Sequence, residues 1–192
     1  MIKKLSKVNP LETNEAYQKV LAWFFSFPTI KVGLSDLAKK VNISKTTANL
    51  VINRLVKEGF LIKDVIGKTW QIYCNQKHKY NFSKKISYNL SLIYKSDIIN
   101  SIKETIPNFK VIILFGSYRK GDDIETSDID IAVEIPGNEN LKIVELGQFP
   151  LLGLRKNVTL NLHVFSRNKI DINFFNNIAN GIVLDGFLEV RL

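Results

Sequence analysis

The chain has a single cysteine, Cys74, and so can close no disulfide within itself; its two histidines are too few to build a zinc cluster. No apolar run reaches the roughly 18 residues a membrane span needs. The opening residues, Met1-Ile2-Lys3-Lys4-Leu5, lack the apolar core of a signal peptide. A protein of the cytoplasm is therefore expected, with no membrane partner. What is present argues for a folded chain: 45% of the 192 residues are hydrophobic and 10% aromatic, enough for one domain or two small ones.

Acidic residues are scarce at the start. Residues 1–80 carry 14 Lys and Arg against 5 Asp and Glu, whereas residues 81–192 carry 13 of each, so the whole net charge of +9 belongs to the first part. Such asymmetry suggests that this part meets a polyanion.

One stretch organises the rest. Val111 to Phe115 is an unbroken, β-branched apolar run that reads as a buried strand and stops at Gly116-Ser117. A polar segment follows, then a second strand from Asp128 to Ile135 with period 2. Asp128, Asp130, Ala132 and Glu134 face one way, and Ile129, Ile131, Val133 and Ile135 the other. Two carboxylates side by side repel unless a cation lies between them, and a hard divalent ion such as Mg²⁺ meets that need. Gly-Ser after a strand offers backbone N–H groups, a hydroxyl and room for a phosphate. Phosphate cradle beside metal carboxylates is a layout for phosphoryl or nucleotidyl transfer.

Phe115-Gly116-Ser117, a spacer of ten residues and Asp128-Ile129-Asp130-Ile131 resemble the signature of the DNA polymerase β-type nucleotidyltransferase superfamily, in its minimal branch. Arg119, Gly121 and Ser127 add to the likeness. The resemblance implies transfer of NMP from an NTP to an acceptor hydroxyl, with two Mg²⁺ ions when active. It makes Asp128 and Asp130 catalytic metal ligands, and gives Gly116, Ser117, Arg119 and Ser127 to the nucleotide. It also implies a third carboxylate on a neighbouring strand. The strand expected there, Asn157 to Phe165, has none; Asn161 or His163 stands at that position, depending on the alignment.

In the basic part, Glu12 to Phe25 has helical spacing, Leu34 to Val41 reads as a second helix, and Ser44 caps a third from about Lys45 to Glu58. Leu61–Val65 and Thr69–Tyr73 read as two strands joined through Gly67-Lys68. This order, and the segment from Leu34 to Lys63, resemble a winged helix-turn-helix of the transcription-regulator type. The resemblance implies DNA as partner, with Lys45, Thr46, Asn49, Asn53 and Lys57 on the groove-facing helix and Lys63 and Lys68 on the wing.

The expected architecture is an α+β two-domain chain. Residues 1–80 form the winged helix-turn-helix, 81–95 a linking helix, and 96–192 the small mixed sheet with helices of a minimal nucleotidyltransferase domain. Beyond Ile135, Glu139 to Gln148 reads as a short helix and Ser166 as the cap of the last one. Paired DNA half-sites imply a homodimer. Minimal nucleotidyltransferases in toxin–antitoxin modules imply a protein partner as acceptor, beside nucleic-acid ends and small molecules. The alternative is a DNA-binding transcriptional regulator whose degenerate transferase domain senses a nucleotide without reacting.

Overall fold

The computed structural model describes residues 14–67 and 69–189; Glu12, where the first helix was expected to start, and Lys68 of the expected wing lie outside them. Three helices open the described chain: α1 (Glu15–Ser26), α2 (Leu34–Lys40) and α3 (Lys45–Lys57). Side-chain caps start two of them. Asn14 accepts from the Tyr17 amide and Ser44 Oγ from the Thr47 amide, each satisfying one of the donors a helix start leaves unpaired. Strands β1 (Leu61–Ile66) and β2 (Thr69–Cys74) then pair antiparallel, Leu61 opposite Cys74.

These five elements share one core, built on Phe24, Leu37, Ile52, Leu55, Phe60 and Ile72, none exposed. Each such side chain stabilises the fold by about 1.5–3 kcal/mol relative to exposure. Trp23 and Phe25 are buried as well as the expected stripe of α1; α4 (Lys84–Lys95) lies against Phe25, where Tyr88 packs on its ring and exchanges a hydrogen bond with Ser26. Cys74 is buried here and burial pushes its thiol up to about 11.

The remaining chain is α5 (Ile98–Thr105), β3 (Val111–Phe115), α6 (Gly116–Lys120), β4 (Ile129–Glu134), β5 (Lys142–Leu152), β6 (Arg155–Phe165), α7 (Ile172–Ala179) and β7 (Ile182–Gly186). The five strands form one sheet in the order β5-β6-β4-β3-β7. Only β4 and β6 run parallel; the other neighbours are antiparallel. The period-2 pattern of β4 holds. Ile129, Ile131 and Val133 enter a core with Ile98 and Ile102 of α5 and Ile93 of α4, while Ala132 joins Phe115, Phe165 and Ile178 on the other face.

Two expectations are corrected. The segment read as a helix over Glu139–Gln148 is strand β5, antiparallel to β6 through Lys142↔Val164 and Leu152↔Arg155. Its apolar residues fit a helical period nearly as well as a strand's, and pairing with β6 decides between them; the ladder skips Leu146 in a bulge beside Gly147, which has φ +108°. The last helix is capped by Asp171, which accepts from the Asn173 and Phe174 amides, and not by Ser166. Ser166 is buried and its hydroxyl accepts from the Glu139 amide, tying the β4–β5 connection down.

Candidate metal and nucleotide site

The register of the sheet assembles the site. Asp130 lies opposite Phe115 on β3 and opposite Asn161 on β6, and His163 lies two pairs further along, opposite Ala132. Directly paired residues project to one face, so the Gly-Ser turn, the acids and both third-ligand candidates meet there. Gly116 has φ +72°, a conformation glycine adopts without steric cost, and a Cβ built on it would sit 2.8 Å from Asp130 Oδ2. The turn and the carboxylate are thus in direct contact. Ser117 follows at the start of the five-residue α6, and Gly121, at φ +82°, ends it.

Asn161 Nδ2 lies 3.4 Å from Asp128 Oδ2 and 3.4 Å from Asp130 Oδ1. One atom therefore touches both carboxylates, through long hydrogen bonds. Asp128 is exposed and Asp130 half-buried, so the pair opens to solvent. His163 reaches Asp130 alone, with Nε2 at 3.2 Å from Oδ1. Its ring packs edge-on against Phe115, and its buried Nδ1 has no hydrogen-bond partner among the described residues.

The hydrogen bond from His163 is the main reason the Asp130 carboxyl is held below the ordinary carboxylate range; the bond from Asn161 adds to it, and burial works the other way. A folded-state pKa below the unfolded value of about 3.9 stabilises the fold above that pH. That stabilisation is lost as pH falls through the depressed value. His163→Phe is expected to flatten this acid limb: its melting temperature should fall less than that of the parent chain between pH 5 and pH 2.

A divalent cation suits this donor set in position and only in part in charge. Two carboxylates converge on the point now filled by the Asn161 amide, whose own Oδ1 is a neutral oxygen donor once the group turns. Among the described residues no group of three His, Cys, Asp or Glu side chains is gathered for a metal. Glu134, next on the acidic face, is buried at the other end of β4 and paired with Arg167, beside a cavity of about 480 Å³ lined also by Lys110 and Phe175.

Of the other expected nucleotide residues, Ser127 is committed to its own loop, its hydroxyl accepting from the Ile124 amide. Arg119 on α6 is half-buried, with no hydrogen-bond partner for Nε among the described residues. Sequence reasoning missed Lys85, Asp123 and Arg155, three buried charges behind the loop that delivers Asp128. A lone charge in a polar stretch carries no local signal of burial.

The residues expected to face DNA are on the surface of α3: Lys45, Thr46, Asn53 and Lys57 are exposed and Asn49 is half-buried. Asn53 Nδ2 donates to Asn49 Oδ1 at 2.8 Å. Lys63 donates to Asn53 Oδ1 at 3.2 Å and lies 4.0 Å over the Trp70 ring, which ties the hairpin to the helix.

A five-stranded mixed sheet with helices fits the fold of a nucleotidyltransferase domain. Residues 95–177 match the family model of that domain, which supports the nucleotidyltransferase superfamily for this part of the chain. No curated protein matches the chain significantly. No helix among the described residues is long and apolar enough to cross a membrane.

Proposed function

We propose that this chain is a divalent-metal-dependent nucleotidyltransferase carrying a DNA-binding winged helix-turn-helix on residues 1–80. The observation that carries the transferase reading is the convergence of Asp128 and Asp130 on one point beside Gly116. In the reaction an acceptor hydroxyl oxygen attacks the α-phosphorus of an NTP. The bond to the β-phosphate breaks, pyrophosphate leaves, and the acceptor's proton passes to solvent. A bound divalent ion would supply charge neutralisation on the phosphates. Asp128 and Asp130 would hold it; Gly116 and Ser117 would seat the triphosphate, and Arg119 would neutralise part of its charge. A protein side chain of a toxin–antitoxin type partner is the first acceptor class to try.

The DNA reading is supported by the charge excess of the first part and by the exposed outer face of α3, where the Asn49–Asn53–Lys63 chain pre-orients groups that can meet base edges and phosphates. A homodimer follows from paired half-sites. A second reading has a specific observation behind it. Asn161 stands where a third acid would complete the site, which favours a nucleotide-sensing regulator with little or no turnover.

Incubation with labelled NTP, Mg²⁺ and candidate acceptors, with an Asp128→Ala/Asp130→Ala control, separates the two. Label transfer lost in the control supports the enzyme; nucleotide binding without transfer, together with retarded DNA, supports the sensor. Asn161→Asp offers a gain-of-function test. A third carboxylate at the atom that spans the other two should tighten Mn²⁺ binding on the order of tenfold and raise any transfer activity. Unchanged affinity would mean that the acids do not share one ion.

A further inference from the structure

Asp130 is fixed twice by the sheet ladder, but Asp128 precedes β4 and lies at the end of a loop without regular structure, 121–128. What holds that loop is buried charge. Asp123 is 2% exposed, and Lys85 of α4 pairs with its Oδ1 at 3.2 Å while donating to its carbonyl oxygen. Asn89 Nδ2 donates to the same Oδ1 at 2.9 Å and to the Tyr118 carbonyl at 2.9 Å. Arg155, at the first position of β6 and 5% exposed, brings Nη1 to 3.9 Å from Asp123 Oδ2 and donates through Nη2 to the Ser127 carbonyl. The Ser127 amide and hydroxyl both bond back to Ile124. Residue 127 is thereby held from both sides, one peptide before Asp128.

Burial pushes the Lys85 ammonium down and the Asp123 carboxyl up in pKa, against the attraction between them. Three buried charges are an expensive way to fill a core, since apolar side chains of similar volume stabilise a fold at least as well. Stability alone does not account for Arg155: Lys85 already balances Asp123, and the guanidinium brings a second positive charge to that one carboxylate. Its contact with the Ser127 carbonyl does account for it.

We propose that Arg155 is a positioning residue of the metal site: by holding the Ser127 carbonyl it fixes Asp128 where it can share a cation with Asp130. This rests on the reading of the two acids as metal ligands. Arg155→Met leaves the neutral Lys85–Asp123 pair in place. In the full chain it should weaken Mn²⁺ binding, followed by the paramagnetic resonance of the free ion, by about tenfold, the loss typical of residues that orient metal ligands. Arg155→Lys, whose ammonium can also donate to that carbonyl, should recover most of the affinity. In an Asp128→Asn background, Arg155→Met should add no further loss.

Unchanged Mn²⁺ affinity in Arg155→Met, with a melting temperature lowered equally with and without Mn²⁺, would overturn the proposal. So would losses that simply add to those of Asp128→Asn. Should Arg155→Met not fold, Arg155→Gln, neutral and shorter, carries the same comparison. If the parent chain and Asp128→Asn bind Mn²⁺ alike, the metal reading itself fails, and the proposal falls with it.

Discussion

Gly121→Ala is expected to unfold at much lower temperature than the parent chain, with a loss of about 3–5 kcal/mol, in the range reserved for backbone clash and strain. Two costs combine. The residue sits at φ +82°, where a Cβ alone costs about 1–2 kcal/mol. The new Cβ would also collide with the Asn81 carbonyl oxygen and lie 2.9 Å from its carbon. Backbone cannot rotate away as a side chain can, so the end of α6 must separate from residues 78–83. Asn81 is itself buried and bound, its Nδ2 donating to the carbonyls of Asn75 and His78. Gly137 is the control: it has φ +112° but open space around it, so Gly137→Ala carries only the conformational share. Urea or thermal unfolding of both variants checks the difference, and equal losses would show that the Asn81 contact is not a tight one.

The second large effect is functional. Gly116→Ala is expected to reduce Mn²⁺ and metal-dependent nucleotide binding by roughly ten- to a hundredfold, the scale on which disturbed ligand orientation acts. Its Cβ would stand 2.8 Å from Asp130 Oδ2 and 3.4 Å from Asp130 Cβ. The carboxylate would have to turn, breaking its bonds from His163 and Asn161. Ser117→Ala, which removes a hydroxyl without touching Asp130, should leave Mn²⁺ affinity in place and weaken only nucleotide binding. Isothermal titration with Mn²⁺, then with ATP in its presence, separates the two variants.

The acid strand and its turn were legible because their signals are local. A fully buried strand shows as an unbroken apolar run, a half-open one as strict alternation, and a Gly-Ser break marks the turn between. The meeting of Asn161 with Asp130 was legible only as far as a continuous sheet could be assumed; the parallel pairing of β4 with β6 supplies the register. Strand β5 was misread because Leu141, Val144 and Gln148 recur at helical spacing, and only a partner strand eleven residues long decides otherwise. Arg155 and Asp123 were invisible as site residues because their meaning is entirely long-range. They are separated by 32 positions, and their burial depends on α4 closing over the loop. The buried far side of α1 escaped notice for the same reason.

The central claim is that Asp128 and Asp130, with the Gly116-Ser117 turn, bind a nucleotide through a divalent ion. A Mn²⁺ titration by electron paramagnetic resonance, with ATP present, on the parent chain and on Asp128→Asn/Asp130→Asn tests it most directly. The account predicts a bound Mn²⁺–ATP signal in the parent chain and free Mn²⁺–ATP in the variant, both proteins remaining folded. The same signal in both would contradict it.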